Sequence, residues 1–330
     1  MKKSDVVSEI LKDRLYVSPK NKIGEAYAPT NIALCKYWGK RNQELNLPVT
    51  SSLSISLADK GAAVSIKVNS VDQVILNNVI LTPDSGFSQR LFKYIDLFRI
   101  ENSIFFQINI QSNIPIAAGL ASSACGFASV IKALNHLYAW ELSNRELSIL
   151  ARLGSGSASR SIVHGFVEWH VGKRDDGMDS YSELIEKEWP ELCIGLCILN
   201  RDEKKISSRE AMQRTIETGS LYPAWPAKVA VDLSLLRQAI TSNDFELLGR
   251  TSESNAMTMH ATMLSAWPAI SYCLPETLVT MQKVWKLRDE GLSLYFTQDA
   301  GPNLKLLFLK KDLHFVVEQF ENVEVVNPFR

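Results

Sequence analysis

The chain has 330 residues, enough for two average domains or one large two-lobed unit. Its 36 Lys and Arg balance its 36 Asp and Glu, and a formal net charge of zero argues against a nucleic-acid partner held by a basic face. A hydrophobic fraction of 46% with 22% charged residues excludes disorder at the scale of the whole chain, and no window holds the ~18 apolar residues of a membrane span.

Residues 1–22 mix Lys, Asp, Glu and Ser without the apolar core of a signal peptide, and read as a loosely packed extension. Ala33 to Arg41 follows, with Lys36, Lys40 and Arg41 beside Tyr37 and Trp38. Alone it reads equally as a solvated edge strand guarded by lysine. Ile104 to Gln111 alternates apolar and polar residues from Phe106 onward, which predicts a strand with one buried face, ended by Pro115. The small residues Ala117 to Ala124 come next, and Phe127, Val130, Ile131, Leu134 and Leu137 then recur at helical spacing. A strand, a small-residue loop and a helix N-terminus together make a place where backbone N–H groups and a positive helix end meet an anion.

Ser143 and Glu146 form a capping-box pattern that starts a second helix, stopped at Gly154. Gly154 to Arg160 packs Ser155, Ser157 and Ser159 beside Arg160, which offers hydroxyls and a two-pronged donor for a carboxylate, or else a flexible surface loop. Phe166 to Val171 predicts a strand, and the apolar run Leu192 to Leu199 predicts a fully buried one. A boundary near Pro190 divides residues 1–190 from 191–330. The second half carries Lys204 to Arg209, a helical pattern over Val229 to Ile240, and a strand from Leu292 to Thr297 that leads to Asp299. An acid on a rigid strand end, next to Gly301, is well placed for catalysis or for a simple Asx turn. Mixed strands and helices give an α+β class. The five cysteines (Cys35, Cys125, Cys193, Cys197, Cys273) are odd in number and scattered, so a reducing, cytoplasmic compartment is expected. Cys193 and Cys197 lack a second pair at zinc-site spacing. His136, His170 and His260 read as structural, and no G-x-S-x-G elbow is present.

Taken together, these segments resemble a known family. Pro115 to Ala124 is similar to the phosphate loop of the GHMP kinase superfamily, and Asn31 to Arg41 resembles the N-terminal signature of its mevalonate diphosphate decarboxylase branch. Gly154–Arg160, Ala256–Met263 and Asp299–Asn303 match that branch in the same order. Thr50 and His164 depart from the pattern, where Asn and Gly are expected. The resemblance implies a two-lobed GHMP kinase fold with its site in the cleft between lobes. It implies ATP and Mg²⁺ as cofactors, mevalonate 5-diphosphate as the small-molecule substrate, and a homodimer. The implied reaction phosphorylates the 3-hydroxyl and then loses phosphate and CO₂ to give isopentenyl diphosphate.

Residue by residue, the resemblance assigns catalysis to Asp299 and Arg160, with Arg160 on the substrate carboxylate. It places Tyr37, Lys40, Ser208 and Arg209 at the diphosphate end, with Ser155 and Ser157 along the substrate. Ala118, Gly119, Leu120, Ala121, Ser122 and Ser123 would hold ATP phosphates, with Ser123 a Mg²⁺ ligand and Asn113 near the adenine. Relatives that phosphorylate mevalonate or act on its 5-phosphate, and a non-catalytic ligand sensor, are the rival readings. Tyr37, Lys40 and Arg160 favour the diphosphate substrate, and the presence of Asp299 and Arg160 argues against a sensor.

Overall fold

The computed structural model describes residues 1–99, 104–114, 122–202 and 204–329. The fold is α+β. A seven-stranded sheet is assembled around one long strand, β4 (Ser52–Asn69), which pairs antiparallel with β1 (Gly24–Cys35) along most of its length. On its other side, the first part of β4 pairs with β8 (Phe166–Trp169), which carries β9 (Ser182–Ile185). The later part pairs with β7 (Phe105–Ser112), beyond which lie β5 (Gln73–Leu76), parallel to β7, and β6 (Val79–Leu81). A small ribbon of β2 (Lys40–Asn42) and β3 (Leu47–Pro48) follows β1. Phe106, Ile108 and Ile110 are the buried face of β7, as its alternation predicts.

The helices explain why β1 does not alternate. α3 (Ser122–Tyr138) packs on β1 and β4, while α6 (Trp225–Ser242) and α7 (Phe245–Leu264) also reach β1. Ala28 to Cys35 is therefore buried throughout, and the residues there are small or apolar apart from Thr30 and Asn31. The β1–β4 register shifts between Pro29 and Asn31 and again between Ala33 and Cys35, irregularities of the kind that re-aim side chains near a site. α4 (Asn144–Gly154) starts at the capping box read from the sequence, with Ser143 and Glu146 satisfying each other's backbone.

The second sheet is antiparallel in the order β11 (Tyr295–Gln298), β12 (Leu304–Leu309), β10 (Leu192–Cys197), β13 (Glu324–Val326). β10 is buried along its whole length, as its continuous apolar run predicts. α8 (Pro275–Asp289) packs on β11, and α5 (Ser208–Thr218) and α9 (Leu313–Gln319) complete this half, with α2 (Gly86–Ile95) in the first. The first sheet uses only residues before 190 and the second only residues after it. Among the described residues no helix is long and apolar enough to cross a membrane.

The N-terminal segment corrects the expectation of a loosely packed extension. α1 (Lys3–Leu11) buries Val6, Val7, Ile10 and Leu11 in the main core. Their spacing makes one apolar stripe, which the surrounding charges obscure in the sequence. Arg14 then donates to the Ile10 carbonyl at 2.7 Å, the Trp140 carbonyl at 3.0 Å and Glu146 at 3.0 Å, and Trp140 Nε1 returns a hydrogen bond to the Arg14 carbonyl at 2.9 Å. Only Lys20 to Ile23 forms an exposed run before β1.

Candidate active site

A cleft of about 490 Å³ gathers the end of β1, the turn after α4, the start of α5 and the turn after β11. Tyr37, Lys40, Ser123, Ser155, Ser157, Arg160, Ser208, Arg209 and Asp299 all line it, so segments more than 250 residues apart in sequence meet in one place.

Among the described residues Asp299 is the only carboxylate on the cleft wall. Its side chain faces two ammonium groups. Lys36 Nζ donates to Oδ1 at 2.7 Å, and Lys305 Nζ pairs with Oδ2 at 3.1 Å. Burial alone would raise the Asp299 pKa, but Lys305 and Lys36 overcome it and hold the carboxyl well below the usual carboxylate range. The same burial pulls Lys36 down to about 8, against the opposing pull of Asp299. Lys36 is fixed by its own surroundings: Nζ also donates to the Ala33 carbonyl at 2.8 Å, and its backbone N–H donates to Asn255 Oδ1 of α7 at 2.7 Å. Asn255 Nδ2 in turn donates to Asp232 of α6 at 2.8 Å. The turn beyond Asp299 is pinned by Asn303, whose Oδ1 accepts from the Leu199 and Asn200 N–H groups at 2.7 and 2.9 Å. Asp299 is thus held by ion pairs rather than by an Asx turn.

Arg160 lies in a 3₁₀ turn, Gly156–Ser161, that is largely buried, which replaces the flexible-loop alternative with a built wall. Nη1 donates to Ser52 Oγ at 2.5 Å, Nε donates to Asn31 Oδ1 at 3.4 Å, and the guanidinium lies 5.9 Å from the centre of the Trp169 ring. Burial draws its pKa down to about 10, still cationic at neutral pH. Tyr37 packs edge-on to Trp169 with ring centres 4.8 Å apart, and its buried hydroxyl has no hydrogen-bond partner among the described residues. An unsatisfied hydroxyl on a cleft wall costs free energy unless a ligand completes it. A methyl on Gly156 would come within 2.8 Å of that hydroxyl, so only glycine leaves room for it.

The other end of the cleft is electropositive. Lys40 Nζ donates to Asn46 Oδ1 at 2.6 Å, and Asn46 Nδ2 donates to the Arg152 carbonyl at 2.9 Å. Burial lowers Lys40 to about 8, reinforced by the charges of Arg209 and of Lys3 from α1. Ser207 caps α5 by accepting from the Glu210 N–H, and Lys204 Nζ donates to Ser208 Oγ at 3.2 Å. Along the cleft edge, Ser155 Oγ lies 3.3 Å from both Ser123 Oγ and Ser157 Oγ, which joins the first turn of α3 to the Arg160 turn. Among the described residues no group of three or more His, Cys, Asp or Glu is placed to hold a metal unaided. Mg²⁺ accepts oxygen ligands and retains waters and phosphates, so the exposed Ser123 hydroxyl beside a nucleotide fits it.

Ala118, Gly119, Leu120 and Ala121 are outside the described residues, and of Ser122 only its place at the start of α3 is described. Asn113 does not line this cleft. Its Nδ2 donates to the Asp59 carbonyl at 2.7 Å and its Oδ1 accepts from the Gly61 N–H at 2.9 Å, so the amide braces β4. Lys305 was not among the expected site residues, and Lys36 was expected only as one cation of the Ala33–Arg41 segment. Lys305 carried one signal, a lone cation inside the apolar strand Leu304–Leu309. His260 on α7 is buried and kept neutral, its pKa drawn down to about 4 by burial and by Lys36.

Residues 28–182 match the diphosphomevalonate decarboxylase-like N-terminal domain, and residues 194–327 match the mevalonate 5-diphosphate decarboxylase C-terminal domain. The diphosphomevalonate decarboxylase of Aspergillus fumigatus is 35% identical over 314 residues, covering 88% of this chain and 77% of its own length. The mevalonate diphosphate decarboxylase structure from Enterococcus faecalis superposes with a TM-score of 0.85 at 38% identity, over 93% of this chain and 97% of that one. A structure of the protein MDDEF in complex with MVAPP, AMPPCP and magnesium superposes at 0.86 with 39% identity, over the same 93% and 97%.

Proposed function

The chain belongs to the mevalonate 5-diphosphate decarboxylase family, and from that premise we propose how its cleft carries out the ATP-dependent decarboxylation of mevalonate 5-diphosphate to isopentenyl diphosphate. The reaction transfers the γ-phosphoryl group of ATP to the 3-oxygen, then expels that phosphate as the carboxylate leaves as CO₂. The observation that supports the roles best is the carboxylate of Asp299, set on the cleft wall between Lys36 and Lys305 and within the field of Arg160.

Asp299 orients the 3-hydroxyl and takes its proton as the oxygen–phosphorus bond forms. A carboxylate held this far below its ordinary pKa is a weak base, so it accepts the proton late, when the bond to phosphorus has made the hydroxyl acidic. Phosphoryl transfer needs positioning and charge stabilisation more than a strong base. Arg160, clamped by Ser52 and Asn31, holds the substrate carboxylate in plane so that its C–C bond aligns with the departing phosphate. Tyr37, Lys40, Ser208 and Arg209 receive the 5-diphosphate, with the unpartnered Tyr37 hydroxyl donating to it. Ser155 and Ser157 line the substrate between the two ends. Ser122 and Ser123, with residues 118–121, hold the ATP phosphates. Ser123 is the residue that would hold Mg²⁺, which when bound neutralises phosphate charge. The odd number and wide scatter of the five cysteines support a reducing, cytoplasmic compartment. Homodimerisation is carried by the resemblance alone, and sedimentation tests it.

The test is to incubate the protein with Mg·ATP and each of mevalonate, its 5-phosphate and its 5-diphosphate, and to measure ADP and CO₂ together. Equal amounts from the 5-diphosphate are expected. ADP without CO₂ would favour a kinase.

A further inference from the structure

Lys305 is an unusual residue for its place. It sits in β12, a strand of otherwise apolar residues buried between neighbours, and it is only 1% exposed. A buried ammonium costs several kcal/mol of desolvation unless its partners are well placed. Among its partners are Asp299 Oδ2 at 3.1 Å and the Asn303 carbonyl at 3.3 Å, which lie on the hairpin that β12 itself forms with β11. In that hairpin Lys305 lies opposite Thr297, two residues before Asp299, so the ammonium reaches the carboxylate along one rigid unit.

Neutralising Asp299 would need one cation, and Lys36 from the other sheet already supplies it on Oδ1. The site instead places Lys36, Lys305 and Arg160 around one carboxylate. Of the other groups that face it, Lys204 adds a fourth cation at the mouth, and His260 stays neutral. Among the described residues the cleft wall is thus rich in cations, which suits a cleft that admits an anionic substrate.

We propose that Lys305 is a positioning residue for the reaction: from the same hairpin it holds Oδ2 of Asp299, so that with Lys36 on Oδ1 the carboxylate is fixed in plane where the 3-hydroxyl meets it. The inference rests on the reading of Asp299 as the catalytic acid–base group. Lys305 acts through Asp299 and need not touch substrate.

The experiment compares Lys305→Met, Lys305→Arg, Asp299→Asn and the Asp299→Asn/Lys305→Met pair in a coupled ADP assay, with kcat, both KM values and the pH profile. Lys305→Met should lower kcat at least about tenfold with KM for ATP within about threefold, since a group acting in the transition state is lost. Lys305→Arg should recover kcat to within about threefold of the unmodified protein, because a cation again faces Oδ2. Removing a neighbouring cation raises the Asp299 pKa, so the acid side of the kcat profile should move to higher pH in Lys305→Met. In the Asp299→Asn background, Lys305→Met should change kcat by less than about twofold, as a residue acting only through Asp299 must. Unchanged kcat and pH profile in Lys305→Met overturn the proposal, as does an equal loss in both backgrounds. Thermal melting checks folding, and Lys305→Gln takes the place of Lys305→Met should that variant not fold. Near-normal turnover by Asp299→Asn overturns the reading of Asp299 itself, and is distinguishable because it leaves no group for Lys305 to act through.

Discussion

Replacing Arg160 with lysine separates alignment from charge. The guanidinium is 3% exposed and is held from two sides, by Ser52 on β4 and Asn31 on β1, over the Trp169 ring. A lysine retains the charge but is one movable point, and its single ammonium lacks the fork that serves both partners. At least one of Ser52 Oγ and Asn31 Oδ1 then loses its donor, at about 1–3 kcal/mol for a buried polar group. That loss falls on the position of the cation, and a misplacement of about 1 Å costs on the order of a hundredfold in rate. At about 1.4 kcal/mol per factor of ten, that 1–3 kcal/mol is about 5- to 140-fold in kcat, a range that contains the hundredfold expected from misplacement. An arginine that only gripped the ground-state carboxylate would slow loss of CO₂, so its benefit must come from geometry. The KM for the 5-diphosphate should stay within about tenfold, because the charge persists. Steady-state kinetics with ADP and CO₂ measured in parallel decide the matter. Turnover equal to the unmodified protein refutes alignment as the role, and a raised KM at unchanged kcat reduces Arg160 to recruitment.

Asp299→Asn should lower kcat at least about a hundredfold with little change in ATP affinity measured by fluorescence titration. Lys40→Ala should raise the KM for the 5-diphosphate more than that for ATP, and equal effects on both would place Lys40 at the wrong end of the cleft. Because burial lowers Lys40 to about 8 in the free protein, its charge is lost as pH rises through that value. The KM for the 5-diphosphate should therefore rise above about pH 8, and Lys40→Arg should flatten that rise in a pH series. Leu11→Ala, in the core face of α1, should destabilise the protein by about 2–5 kcal/mol in urea titration, whereas a loosely packed extension would show no change.

Most of the strands and the capped helices were legible because their signals are local. The alternation of Phe106 to Ile110, the apolar run from Leu192 and the Ser143–Glu146 box each carry their own physics within a few residues. The site was legible in part for the same reason: Arg160, Lys40, Ser155 and Asp299 stand in short motifs, and all of them reach the cleft. What escaped depends on packing between distant segments. The burial of Lys36 follows from Asn255 and Asp232 on helices more than 190 residues away. The role of Lys305 emerges only when the β11–β12 hairpin returns it to Asp299. α1 was misread because four apolar residues among charges look weak until Trp140 and Glu146 are brought to meet Arg14. Asn113 sits beside the phosphate-loop motif in sequence, yet its amide turns to Asp59 and Gly61 on the neighbouring strand.

The double covering of β1 bears on how the chain is made. Its far end is packed by α3 and by α6 and α7, with Cys35 against the Val229 carbonyl and Asn255. A ribosome that has released only the first 190 residues has delivered the whole of the larger sheet, but not the helices that complete its shielding. Ile32, Leu34 and Cys35 then wait for residues up to Leu264 before their strand is fully shielded. At about 5–20 residues per second, that interval lasts several seconds, and it is when the nascent chain is most exposed to misassociation. Chaperone contact during synthesis should concentrate there, and a premature stop between residues 190 and 264 should yield an aggregate rather than a smaller folded protein.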